Sequence, residues 1–143
     1  MNPEREDDPT IRTDVRLFRR IHLTQLVEDE DTGNARVSSG AFRDKELSMN
    51  IEQTLIAEGC GPDHCVRKHP HHKLVAFTAG AARALGQSVY RDPQEDDPSH
   101  GIVHGNKNGK KIHDGLREAS VWIIPPTVPL YETIRQEKMN LEL

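Results

Sequence analysis

The densest chemistry in the chain lies between Cys60 and His72, where Cys60, His64, Cys65, His69, His71 and His72 crowd into one short stretch. Thiolate and imidazole are the usual protein ligands of zinc, which takes four of them tetrahedrally. Cys60, Cys65, His69 and His71 are the candidate ligand set. Their Cys-x4-Cys spacing departs from the tight Cys-x2-Cys turn that aims two sulfurs at one ion. The stretch therefore reads first as a solvated loop with two small buried thiols, and only second as a zinc site. No other cofactor is expected.

A metal-free alternative uses imidazoles as general acid and base on a phosphate or acyl group, with a guanidinium stabilising the developing negative charge. His72, placed just before an apolar strand, and His100, at the start of a later one, are the candidate pair. Arg20, Arg83 and Arg91 are the candidate cations. His100 and His104 do not make a metal clamp, because four residues of strand separate two side chains on one face by about 13 Å. Gly105 to Lys111 (GNKNGKK) lacks the Gly-x4-Gly-Lys-Ser/Thr order of a phosphate-wrapping loop. With Arg117 it still gives a basic stretch, so Lys107, Lys110, Lys111 and Arg117 are the candidate contacts to a nucleic-acid backbone. Neither cysteine and no serine stands in a nucleophile motif.

Arg19 or Arg20 on the first strand and Ser38-Ser39 on the second resemble, loosely, the Arg and Ser positions of ADP-ribosyltransferase-like folds. The Arg-to-Ser spacing is short and no later segment supplies that family's glutamate motif. The resemblance therefore carries no activity with it.

These residues need elements to hold them. From Val15 to Leu23, apolar Val15, Leu17, Ile21 and Leu23 interleave with Arg16, Arg20 and His22, the period of a half-buried strand that Phe18 and Arg19 interrupt. Ala35 to Ser39 reads as a second strand, paired with the first through an irregular Glu28–Asn34 connection. Asn50 and Gln53 have capping-box spacing, which predicts a helix from Asn50 to Glu58 ended by Gly59. Leu74 to Phe77 predicts a buried strand, Thr78 to Leu85 a short helix ended by Gly86, and Ser88 to Arg91, His100 to His104 and Val121 to Ile124 further strands. Asp92 to Ser99 is a loop. Ile112, Leu116 and Ala119 mark a helix face, and a last helix is expected to begin near Leu130.

The sum is an α+β fold. A mixed or mainly antiparallel sheet of five or six short strands is expected with three or four short helices. Residues 14–128 form the domain, 1–13 a mobile acidic tail and 129–143 a C-terminal helical segment. Phe18, Phe42, Phe77 and Trp122 are the expected large core anchors. A net charge of −4 argues against a surface that is basic throughout. No apolar run is long enough to span a membrane, and the acidic start does not look like a secretory signal. The chain reads as a soluble, cytoplasmic, histidine-rich protein whose leading function is binding or accessory work with a protein partner. A nuclease or nucleotide transferase using the histidines is the alternative.

Overall fold

In the computed structural model, which describes residues 6–69, 71–126 and 135, the described elements are β1 (Arg16–Ile21), β2 (Leu26–Glu28), β3 (Ala35–Val37), β4 (Glu46–Ile51), α1 (Glu52–Ala57), β5 (Lys73–Thr78), α2 (Ala79–Ala84), β6 (Ser88–Arg91), β7 (His100–His104), α3 (Lys110–Ala119) and β8 (Val121–Ile124). Six strands form one antiparallel sheet in the order β6-β7-β4-β1-β5-β8, and β2 and β3 pair separately. The fold is α+β, as the sequence predicts. The expected last helix near Leu130 and most of 129–143 lie outside the described residues.

Strand alternation sends two sets of side chains to opposite faces. On one face, Leu17, Ile21, Leu47, Met49, Ile51, Val75, Phe77, Val89 and Val103 form the main core with Phe42, Ala79, Ala82 and Leu116. On the other, Phe18, Leu74 and Ala76 pack with Leu55, Cys65 and Val66 in a smaller core under α1 and the turn at Pro62–Val66. Phe18 interrupts the alternation of β1 because both faces of that central strand are covered. Phe18, Phe42 and Phe77 are buried, with Phe42 and Phe77 edge to face at 6.1 Å, whereas Trp122 is only half-buried on the edge strand.

Three local expectations are overturned. Ala35–Val37 pairs with Leu26–Glu28, while β1 pairs with β4 and β5, so the hairpin is real but does not contain the first strand. Asn50 does not cap a helix. It is a β4 residue whose buried amide donates to Asp97 at 2.9 and 3.1 Å and to Ser99 Oγ at 2.9 Å, and the α1 cap, Ile51, makes no side-chain bond. The acidic segment is docked rather than mobile from Asp7 onward. Ile11 is fully buried, Asp7 Oδ1 accepts from Arg83 Nε and the Val89 amide, and the Asp8 amide donates to Val89 O.

The seam between β1 and β4 is unusual. β1 pairs with β5 along its whole length and β4 with β7 from Glu46 to Asn50, yet β1 and β4 pair only at Leu17–Ile51 and Phe18–Asn50. Past Phe18, the half-buried Arg19 guanidinium links the two sides: Nη1 donates to Ser48 O at 3.2 Å and Nε to Ala41 O at 3.3 Å, with Asp44 at 3.7 Å.

Lys107 fixes the end of the sheet next to this seam. Its side chain is buried, and its ammonium donates to the carbonyls of Val103 at 2.8 Å, Lys45 at 3.1 Å and Gly105 at 3.2 Å. Gly105 has φ +153°, and a Cβ there would meet the Gln87 amide at 2.5 Å, so the turn admits only glycine. Lys107→Met would take the ammonium from three carbonyls, of which Lys45 O keeps the Gly105 amide at 3.0 Å, and a buried group left unpaired costs about 1–3 kcal/mol. Urea unfolding should show a loss of about 1–3 kcal/mol, and a variant as stable as the parent would contradict this role.

Candidate functional site

The cluster grows out of the β1–β5 pairing. Ile21 lies opposite Lys73, which sets His22 and His72, the next residues outward on each strand, side by side at the end of the ladder. Arg20 lies opposite Leu74 on the face of the smaller core. The His72 amide donates to His69 O at 2.9 Å, a turn that brings the ring of His69 over that of His72. The His69 and His72 rings stack at 4.7 Å, and His22 meets His72 edge to face at 5.1 Å. His22 is held by its own cap: its Nδ1 accepts from the Thr24 amide at 3.1 Å while its amide donates to Gln25 Oε1 at 2.9 Å.

Only like-charge and burial effects act on the inner ring. Burial first, then His69, His22, Arg20 and His71, pull His72 down to about 4. Burial, with Arg20 and Lys68, also lowers His69. His72 Nδ1 is buried without a hydrogen-bond partner among the described residues, and no ion pair there involves Arg20, His22, His69 or His72. The result is an inner imidazole, that of His72, which resists protonation beside the exposed Arg20 guanidinium, an arrangement that disfavours further positive charge and favours an anion.

The other predicted site residues lie elsewhere. His100 sits on β7, level with Asn50 and Phe18, while His72 lies three strands away and level with His22. That places them about 14 Å apart across the sheet and about 13 Å along it, so they do not form an acid–base pair. His100 Nδ1 instead binds the Asp92 carbonyl at 3.0 Å, with the Asp92 carboxylate at 3.1 Å, tying down the 92–99 loop. Arg83 is committed to Asp7 and the Asp8 carbonyl. Arg91 is committed to Thr54 at 2.9 Å, Gln53 at 2.6 Å and Asp8 at 3.4 Å. Of the candidate cations, Arg20 alone stands with His72.

The candidate zinc set does not converge, and no group of three or more His, Cys, Asp or Glu among the described residues is arranged to hold an ion. Cys65 is buried against Phe18 and Leu74, where burial raises its thiol to about 12, far from the thiolate that a metal needs. Cys60 flanks that apolar cluster, and the closely spaced rings of His69 and His72 are stacked faces rather than converging nitrogens. His71 stands half-buried beside them. The basic stretch does not make one surface either. Lys107 turns inward, Lys110 and Lys111 are exposed, and Arg117 lies half-buried near Trp122 with Glu118 at 3.9 Å. Ser38 caps the Ser39–Phe42 turn by accepting from the Gly40 amide, and Arg19 reaches Ala41 in that turn.

The chain matches no family model, no curated protein and no solved structure. Among the described residues, no helix is long and apolar enough to cross a membrane.

His72 links the cluster to stability. Its folded value, about 4, lies below the ordinary 6.5, so between these limits the unfolded chain takes up a proton that the folded chain refuses. Stability is full above about pH 6.5 and declines as pH falls toward 4. Unfolding free energies measured from pH 7.5 to 4.5 should fall for the parent and fall less steeply for His72→Leu. Parallel curves would rule out His72 as the source.

Proposed function

We propose that the protein is a phosphate-directed enzyme of the nuclease or nucleotide-transferase kind, and that Arg20, His22, His69 and His72 form its reactive site. The observation that carries this reading is the gathering of three imidazoles near a guanidinium that has no carboxylate partner among the described residues. An electropositive cluster of that kind is stabilised when an anion enters it. Arg20 would hold the phosphoryl oxygens, as a guanidinium fits them in a planar fork.

In this reading neutral His72 accepts the proton of an attacking hydroxyl as its oxygen forms a bond to phosphorus. His72 then gives that proton, through solvent, to the departing oxygen as the second P–O bond breaks, which restores its neutral form. The phosphate charge is unchanged from substrate to product, and one proton has moved across the site. Because His72 stays neutral down to about pH 4, the base form is present throughout the neutral range. The unpaired thiols Cys60 and Cys65 agree with a reducing, cytoplasmic setting.

Protein binding is the second reading. Val121 is 57% exposed beside half-buried Trp122 on edge strand β8, a small apolar strip suited to a protein contact. A chromogenic phosphodiester, bis-p-nitrophenyl phosphate, separates the two. The parent should release nitrophenol, and His72→Gln should lower turnover by about 10²-fold or more, the usual contribution of a general base. Arg20→Gln should raise KM as well as lower kcat. Turnover that survives both substitutions, or is absent from the parent, would discard the enzyme reading in favour of the β8 strip.

A further inference from the structure

We infer that a second anion site lies in the pocket of about 200 Å³ lined by Arg43, Lys45, Asn106, Lys107 and Asn108, and that it takes a backbone phosphate of single-stranded nucleic acid. The pocket itself stands on its lining; the choice of nucleic acid rests on the phosphate-directed reading of the histidine cluster.

The lining contains three cations and two amides but no carboxylate. The side chains of Arg43 and Lys45 are exposed and form no hydrogen bond or ion pair among the described residues. Asp44, between them in sequence, lies 3.7 Å from Arg19 and also acts on Lys107, so it offsets part but not all of the charge of the three cations. The three protons of Lys107 are taken by carbonyls, so it adds charge from below without needing the ligand as a partner. Asn106 Oδ1 accepts from the Asn108 amide at 2.9 Å, which leaves the Asn106 side-chain nitrogen as a donor. The ten-residue helix α3 starts just beyond, with no side-chain cap at Gly109, and its amino end adds to the positive potential.

Position argues for one extended ligand. β4 and β5 begin, and β1 and β7 end, at the same end of the sheet, so Lys45 and Gly105–Asn108 share that end with His22 and His72. The parted strands β1 and β4 lie between the two clusters. Two cationic sites separated by a few strand spacings suit successive phosphates of one chain better than a single small anion.

The test is fluorescence anisotropy of a labelled ten-nucleotide oligouridine at several salt concentrations, comparing the parent, Arg43→Gln with Lys45→Gln, and Arg20→Gln. The Arg43/Lys45 double variant alters only exposed side chains. It should bind about tenfold more weakly, and the steepness of its log–log salt dependence should fall by about 0.7 for each phosphate no longer neutralised. Parent-like affinity and slope in that variant would overturn the second site, even if Arg20→Gln abolishes binding. Weakening in the double variant alone would support the second site while removing the histidine cluster from the ligand path. Equal protection of the pocket by millimolar inorganic phosphate, with no oligouridine binding by the parent, would overturn nucleic acid as the ligand.

Discussion

The molecule depends on a seam closed by a side chain instead of by backbone. β1 and β4 share two residue pairs, and beyond them Arg19 donates to a carbonyl of β4 and to another of the Ser39–Phe42 turn. A guanidinium has donors enough to serve two carbonyls at once, here the part-buried one of Ala41 and the exposed one of Ser48. Burial lowers Arg19 from the ordinary arginine value, but Asp44 offsets part of that effect. The six-stranded sheet can therefore be seen as two three-stranded halves, β6-β7-β4 and β1-β5-β8, joined at one end and parted at the other. The two proposed anion sites lie on either side of the parted end.

The fold was legible where one face of a strand is buried and the other is not. β6, β7 and β8 match their predicted limits, and Gly59 and Gly86 follow the ends of α1 and α2 in left-handed conformation at φ +72° and +78°. It was illegible where burial is two-sided. Phe18 and Arg19 look like noise in an alternating strand until the sheet is known to carry a core on each face and a polar graft at its seam. β4 carries the plain alternation Leu47, Met49, Ile51, yet Asn50 and Gln53 have the spacing of a helix start, and the competing signal won. In α3 the inward face turns on His113 and Leu116 rather than Ile112 and Ala119, because a buried histidine reads as polar in sequence.

The site was half legible. His72 and Arg20 could be nominated from their strand-end and strand positions, but their companions follow from register, which one sequence does not reveal. Knowing only that β1 and β5 are antiparallel neighbours, with Ile21 opposite Lys73, would have placed His22 beside His72. His69 then follows from a turn three residues long. The pairing of His72 with His100 failed for the same reason: two strands intervene between the strands that lead from them. The cysteines were misleading because a thiol beside histidines has the same composition whether it serves an ion or fills an apolar gap.

The docking of the amino-terminal segment also bears on how these molecules meet one another. Asp7 and Asp8 take both the amide and the carbonyl of Val89, the groups that an incoming strand would need at the outer edge of β6. A sheet that can lengthen at both margins polymerises without limit, whereas one sealed at a margin stops after a single joining. One short acidic side chain, that of Asp7, and the backbone amide of Asp8 thus close the outer edge of β6 at Val89 to strand addition, a safeguard independent of whatever chemistry the other end performs.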